Sequence, residues 1–272
     1  MGSATEILLA TDFCDPAQCA LACARQIARL RGAAVRALHV MDFTGAAADE
    51  RPPYSAVRDS AEHRLREIRR ELRLAGVPES ATLVAAGRPA RAIRATAVQY
   101  QAALLILGLN GSRSRKSSTL GATARALLRH SPCPVLTVAA PCPDLSPEPA
   151  SARALHHPIL ERPVFVADTA PESLRAALAA WPSPAESSTT RVVLPPDGRR
   201  RIVQGAATPK IPAGSLEFAG AARTLLRKAE ATRAGIIVLG LRGGGYLDSF
   251  ATGSFAHAIA TGAGCPVLTV RC

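Results

Sequence analysis

Two periods of hydrophobicity take turns along this chain. Short apolar runs at 7–10, 34–40, 81–87, 104–107 and 134–138 read as strands, and the stretches between them carry apolar residues at helical spacing. Asp15-Pro16-Ala17-Gln18 predicts the first helix start, with Asp15 as N-cap, proline at the first helical position and Gln18 closing a capping box. Gly32 stops that helix after Arg31. Asp59 and Glu62 form a second capping box, opening a helix over 59–76 that buries Ala61, Leu65, Ile68 and Leu72. Further helices are expected over 90–101 and from about Gly121 to His130. Apolar strands alternating with helices imply a parallel, doubly wound α/β sheet, in which ligands bind beyond the carboxyl ends of the strands.

The pattern then repeats. "LLILGLNG" (104–111) resembles "IIVLGLRG" (236–243), and "CPVLTV" occurs at 133–138 and again at 265–270, at a constant offset of 132 residues. "VAAGRPARAIRATAVQYQAALLILG" parallels "EFAGAARTLLRKAEATRAGIIVLG", and "ILLATDFCDPA" (7–17) resembles "VFVADTAPESL" (164–174). A period this long marks two copies of one domain rather than a solenoid unit. The copies are expected over 1–140 and 163–272, joined by a Pro- and Ser-rich linker at 141–162. The middle of the second copy, 191–218, holds two strand-like runs without an amphipathic helix between them, so that copy is shortened.

Composition narrows the picture. The net charge is +12 over 272 residues, divided equally between the first 150 residues and the remainder, so there is no basic tail. Only three of the basic residues are Lys, and the simplest reading is a solvated, Arg-rich surface. Nucleic acid is disfavoured as a partner, because no module of interleaved aromatic and basic residues is present. Met1 leads directly into the first strand without a basic, apolar leader, and no apolar run reaches the roughly 18 residues that span a bilayer. A cytoplasmic protein, without a membrane partner, is expected. The seven cysteines are scattered and read as reduced thiols. Cys14, Cys19 and Cys23 have no histidine clustered with them and suit core packing better than metal ligation; Cys133 and Cys265, each before a proline at a strand start, are expected to be buried. The dispersed histidines have no evident nucleophile partner, which excludes a hydrolytic triad.

The remaining candidate chemistry lies between the fourth strand and the helix after it, in "LILGLNGSRSRKSSTLGATARALLRH". Glycines at 108, 111 and 121 permit close backbone approach and positive φ. The helix opening at Gly121 offers unpaired N–H groups and a positive dipole end, with Arg113, Arg115 and Lys116 nearby in sequence. That chemistry suits a polyphosphate. The spacing is neither a Walker motif nor a dinucleotide fingerprint.

The spacing Gly-x2-Gly-x9-Gly followed by a hydroxyl residue resembles the nucleotide motif of the universal stress protein family. It occurs at Gly108, Gly111 and Gly121 and again at Gly240, Gly243 and Gly253-Ser254; "ILLATDF", "ALHVMD" and "SPCPVLTV" extend the resemblance over nearly all of 5–139 and, less well, 163–272. The resemblance implies two tandem, Rossmann-like, five-stranded doubly wound domains. It implies ATP or a related adenine nucleotide as ligand, with Mg2+ as a companion ion. Asp12, matched by Asp168, is the residue expected to meet the nucleoside, and the backbone near Val40 the base. Gly108, Gly111, Gly121, Ala122 and Thr123, and in the second copy Gly240, Gly243, Gly253 and Ser254, are expected around the phosphates. The two "PVLTV" strands are expected to pair antiparallel and join the copies; a homodimer and a protein partner are further implied assemblies.

Each copy departs from the family pattern. Ala122 stands where a hydroxyl is expected, with Thr123 as the available substitute. The second copy has Ser254 but reads "VVLPPD" in place of "LHVMD" and carries acidic Asp248 in its loop. No general base or Mg2+ carboxylate set is recognisable, so slow ATP hydrolysis is the most that is expected. The expected function is nucleotide-binding regulation in a stress response; the alternative is an interaction scaffold of the same fold that holds no nucleotide.

Overall fold

Ile7, Leu8, Leu9 and Ala10 alternate between the two faces of β1 (Glu6–Ala10), yet all four are buried. A strand in that position must be covered on both sides. The computed structural model describes residues 5–43, 53–111, 119–140, 164–168, 189–193, 215–241 and 255–271. In the first copy, β1 is followed by α1 (Asp15–Arg31), β2 (Ala34–Met41), α2 (Tyr54–Leu74), β3 (Ser80–Ala86), α3 (Pro89–Gln99), β4 (Leu104–Gly108), α4 (Ala122–His130) and β5 (Val135–Val138). The described part of the second copy supplies β6 (Val164–Asp168), β7 (Thr189–Val193), α5 (Ser215–Ala231), β8 (Ile236–Leu241), α6 (Phe255–Gly262) and β9 (Val267–Arg271). The linker, the first helix of the second copy and its second strand-like run lie outside the described residues.

The nine strands among the described residues form one sheet in the order β3-β2-β1-β4-β5-β9-β8-β6-β7. Every pairing is parallel except β5 with β9. That junction is symmetric. Leu136 pairs with Leu268, its own equivalent at the 132-residue offset, while Val135 pairs with Thr269 and Thr137 with Val267. A pseudo-twofold axis therefore passes between the two leucines. One apolar cluster runs along one face of the sheet through Leu105, Leu127, Ile237 and Phe255, and the other along the opposite face through Leu9, Ile106, Leu136 and Val238. Both clusters cross the axis, so the two copies share their cores.

The sequence expectations hold for the element order of the first copy and for the four buried residues of α2. Two helix starts move. Cys14, not Asp15, is the N-cap of α1, without a side-chain cap bond. The cause lies one step upstream: Asp12 Oδ1 accepts the Cys14 N–H at 3.1 Å, and this turn sets the helix entry a residue earlier. α2 begins at Tyr54 after Pro53, so Asp59 and Glu62 lie inside the helix, and Glu62 instead accepts from Arg58 one turn before it. Cys133 and Cys265 are half-buried rather than buried. Among the described residues no helix is long and apolar enough to cross a membrane.

Candidate functional site

The strand order reverses at β1, which has β2 on one side and β4 on the other. Chain segments diverge beyond that point to opposite faces, leaving a crevice at the carboxyl ends of β1 and β4. Asp12 and Phe13 follow β1 there, His39 and Val40 lie at the end of β2, and Gly108 to Gly111 leave β4 toward α4.

The three glycines of the first copy serve the packing of the chain on itself. A Cβ on Gly108 would come within 2.8 Å of Pro16 Cβ and 3.1 Å of the Ala17 nitrogen, so its absence lets the start of α1 rest against β4. A Cβ on Gly111 would come within 2.8 Å of Asp12 Oδ2. One on Gly121 would meet the Asn110 Cα at 3.2 Å, and the Gly121 N–H donates to the Leu109 carbonyl at 3.0 Å. None has a positive φ; Gly121 is extended, at φ −62° and ψ 150°. Of the two properties expected of these glycines, positive φ is not used, and the close approach seen here is to the chain's own atoms. Together they draw the α1 start, the β4 loop and the α4 start around Asp12.

The start of α4 brings backbone donors to the same place. Gly121 caps it without a side chain, and the first i→i−4 bond inside the helix is that of Arg125 to the Gly121 carbonyl. The amides of Ala122 and Thr123 therefore have no acceptor within the helix, beside a loop that already presents backbone. Ala122 is exposed and Thr123 half-buried.

Several residues of the crevice carry no sequence motif. Phe13 has φ 65°, donates its N–H to Thr11 Oγ1 at 3.0 Å and stacks on His39 with ring centroids 4.6 Å apart. The Arg64 guanidinium, from α2, sits 4.6 Å over the same ring. His39 Nδ1 donates to the Thr11 carbonyl at 2.8 Å, which fixes its tautomer. Cys14 Sγ lies 3.7 Å from the Asn110 carbonyl, tying the first loop to the glycine loop. Burial, and then its hydrogen bond to Asp12, push that thiol up to about 12, so it stays protonated at neutral pH. The signal that could have found this group is the run Thr11-Asp12-Phe13 read against His39: neighbouring strands whose carboxyl ends carry adjacent polar and aromatic residues.

In the second copy, β6 and β8 run in a register that sets Asp168 level with Gly240, as Ala167 is level with Leu239. In the first copy Ala10 is level with Leu107, one residue before Gly108. Asp168 therefore occupies the place of Thr11, one residue short of Asp12; Thr169, the next residue, lies outside the described residues. This corrects the match of Asp168 to Asp12. Val193 falls at the place of His39. Gly243, Gly253 and Ser254 lie outside the described residues.

The family model described as the universal stress protein family matches residues 4–139 and 215–271. A universal stress protein from Archaeoglobus fulgidus is similar over 98% of this chain and 96% of its own, at 16% identity and a TM-score of 0.66. The universal stress protein UspA from Lactobacillus plantarum is 26% identical over 51% of this chain and 99% of its own, with a TM-score of 0.44. A universal stress protein solved in complex with cAMP is 23% identical over 50% of this chain and 98% of its own, with a TM-score of 0.41. No curated protein matches the chain significantly.

Proposed function

The chain belongs to the universal stress protein family as a tandem member, and from that premise we propose that its first domain is a regulatory module that binds ATP or a related adenine nucleotide in the crevice between β1 and β4. The observation that carries this reading is the start of α4, whose first-turn amides have no side-chain cap and adjoin the backbone of Gly108–Gly111. An anion there gains amide donors and the positive end of the helix dipole. In this reading Ala122 and Thr123 hold phosphate, Asp12 takes ribose hydroxyls and the backbone at Val40 takes the base. The second domain keeps Gly240, Gly243, Gly253 and Ser254 for phosphate but lacks an acid in the place of Asp12, so the first domain is the stronger site.

Regulation follows from where α4 sits. α4 and α6 share one apolar cluster, and Arg125 on α4 is close enough to His257 on α6 to help lower its pKa, after burial. A ligand that orders the start of α4 therefore biases the packing of the two domains.

The scaffold reading has one observation in its favour: each glycine of the first loop has a reason within the chain itself. Ala122→Pro separates the two readings. Proline suits the first helical position, and the extended ψ of Gly121 tolerates a following proline, so folding is preserved while one amide donor is lost. Titration calorimetry with ATP is expected to show binding by the unaltered protein and roughly tenfold or greater weakening in the variant. No binding at millimolar ATP, with an unmoved melting temperature, leaves the scaffold.

A further inference from the structure

α2 has a second exposed face with a different chemistry at each end. Around its middle, Arg58 meets Glu62 at 2.8 Å, and the His63 imidazole lies 3.6 Å from Glu67. Glu71 turns toward α1 and takes Arg25 at 2.9 Å. All three glutamates of the helix are thereby engaged. Arg66, Arg69, Arg70 and Arg73 remain, every one exposed, at spacings of three and four that place them on a single face. The core side of the helix is pinned by Ala61, Leu65, Ile68 and Leu72.

We propose that this arginine stripe is a docking surface for the phosphate backbone of nucleic acid, bound without regard to sequence. Four like charges at neighbouring positions repel one another in the free protein, and a polyanion relieves all of the repulsions at once. The stripe is about 10 Å long, a length over which a duplex presents roughly six phosphates. Guanidinium forks match phosphate oxygens in pairs. The apolar face of α2 is spent on the core, and its exposed large apolar side chains, Tyr54 and Leu74, stand at opposite ends of the helix, so it has no continuous apolar face to lay into a bilayer. The exposed Leu74, one turn beyond Arg70, borders the stripe at its end, but a single aliphatic side chain at the edge is not the buried aromatic or aliphatic centre that anchors protein partners. Base-stacking aromatics, whose absence disfavours nucleic acid at the level of sequence, are needed to read bases and not to hold a backbone.

The test is fluorescence anisotropy of a labelled mixed-sequence duplex with the full-length protein, from about 50 to 200 mM salt. Binding is expected to weaken about a hundredfold over that range, with a log–log slope near −3 to −4. Arg69→Gln and Arg70→Gln, single exposed changes to a good helix former, should each flatten the slope by about one unit. The quadruple variant R66Q/R69Q/R70Q/R73Q should lose binding, and R88Q/R91Q/R94Q, at the N-cap of α3 and along it, should retain it. Absence of binding at the lowest salt, or binding indifferent to the quadruple change, overturns the proposal. So does tighter binding to poly-glutamate, which would make the partner an acidic protein, or to anionic vesicles, which would make it a membrane.

Discussion

The two copies agree where they meet and differ where a ligand would lie. Gln101 and Arg233, equivalent by the 132-residue offset, both adopt a left-handed backbone, at φ 49° and 51°. The next residues repeat the same bond, Ala102 to the Ala97 carbonyl and Ala234 to the Ala229 carbonyl. Leu105 donates to the Pro134 carbonyl, and Ile237 to that of Pro266, both at 3.0 Å. At the first two strands the likeness fails: Asp168 stands where Thr11 does, and Val193 where His39 does. β4 and β8, together with the last helix and the last strand of each copy, build the shared axis, so a change there must suit both copies at once. The first two strands border only their own crevice. A chain that needed one good crevice and one sound axis would show this distribution.

The largest effect is expected at the axis. Leu136 and Leu268 are almost completely buried, and Leu136→Ala should cost about 2–5 kcal/mol in urea denaturation. Leu268→Ala should cost a similar amount, and the double variant less than the sum, since the two positions are direct strand partners. Because both apolar clusters cross the axis, one cooperative transition is expected. Two separable transitions would mean that the copies fold independently and that their agreement needs another explanation.

Next in size is Gly108→Ala, which drives a methyl group against Pro16 and the Ala17 backbone and should cost about 1–3 kcal/mol. Gly240→Ala, measured alongside, reports whether the second copy relies on an equally close approach. This pair also marks the limit of the sequence. Element order, the shared strand pairing and the buried side of α2 follow from local periodicity and from the repeat, and were legible. The partner of Gly108 lies some 90 residues away, and that of Gly111 some 100 residues away, and no local pattern connects them. The start of α2 was hidden for a different reason. Among the helical residues before Ala61 none is buried, so apolar spacing gives no sign that the helix has begun. The predicted match of Asp168 was misjudged by one residue because Asp12 and Asp168 share a residue type, while register follows hydrogen bonding.

The register sets up a direct contrast in binding. Asp12→Asn should weaken ATP by about tenfold, in line with the loss of one charge-assisted hydrogen bond, and Asp168→Asn should leave the affinity unchanged. Thr169→Asp adds an acid one residue after Asp168, as Asp12 is one residue after Thr11, and should raise the calorimetric stoichiometry toward two if the second glycine loop is competent. A larger loss from Asp168→Asn than from Asp12→Asn would reverse the ranking of the two crevices.

The smallest contrast lies in two thiols at equivalent positions. Burial raises the pKa of both Cys133 and Cys265, Cys265 to about 12. Around Cys133 the Ser131 hydroxyl, 3.7 Å from the sulfur, opposes that rise; Ala263 holds the equivalent place in the second copy and has no hydroxyl to offer. The thiolate is the species that reacts, so iodoacetamide at about pH 8.5 should label Cys133 faster than Cys265, and Ser131→Ala should narrow the difference. The same shift bears on stability. A thiol whose pKa is raised on folding stabilises the native state fully below its unfolded value, near 9.0, and that contribution is lost as the pH climbs toward 12. Urea midpoints for the unaltered protein should therefore fall across this window. Cys265→Ala should fall less steeply, and equal slopes would place the alkaline loss in other groups.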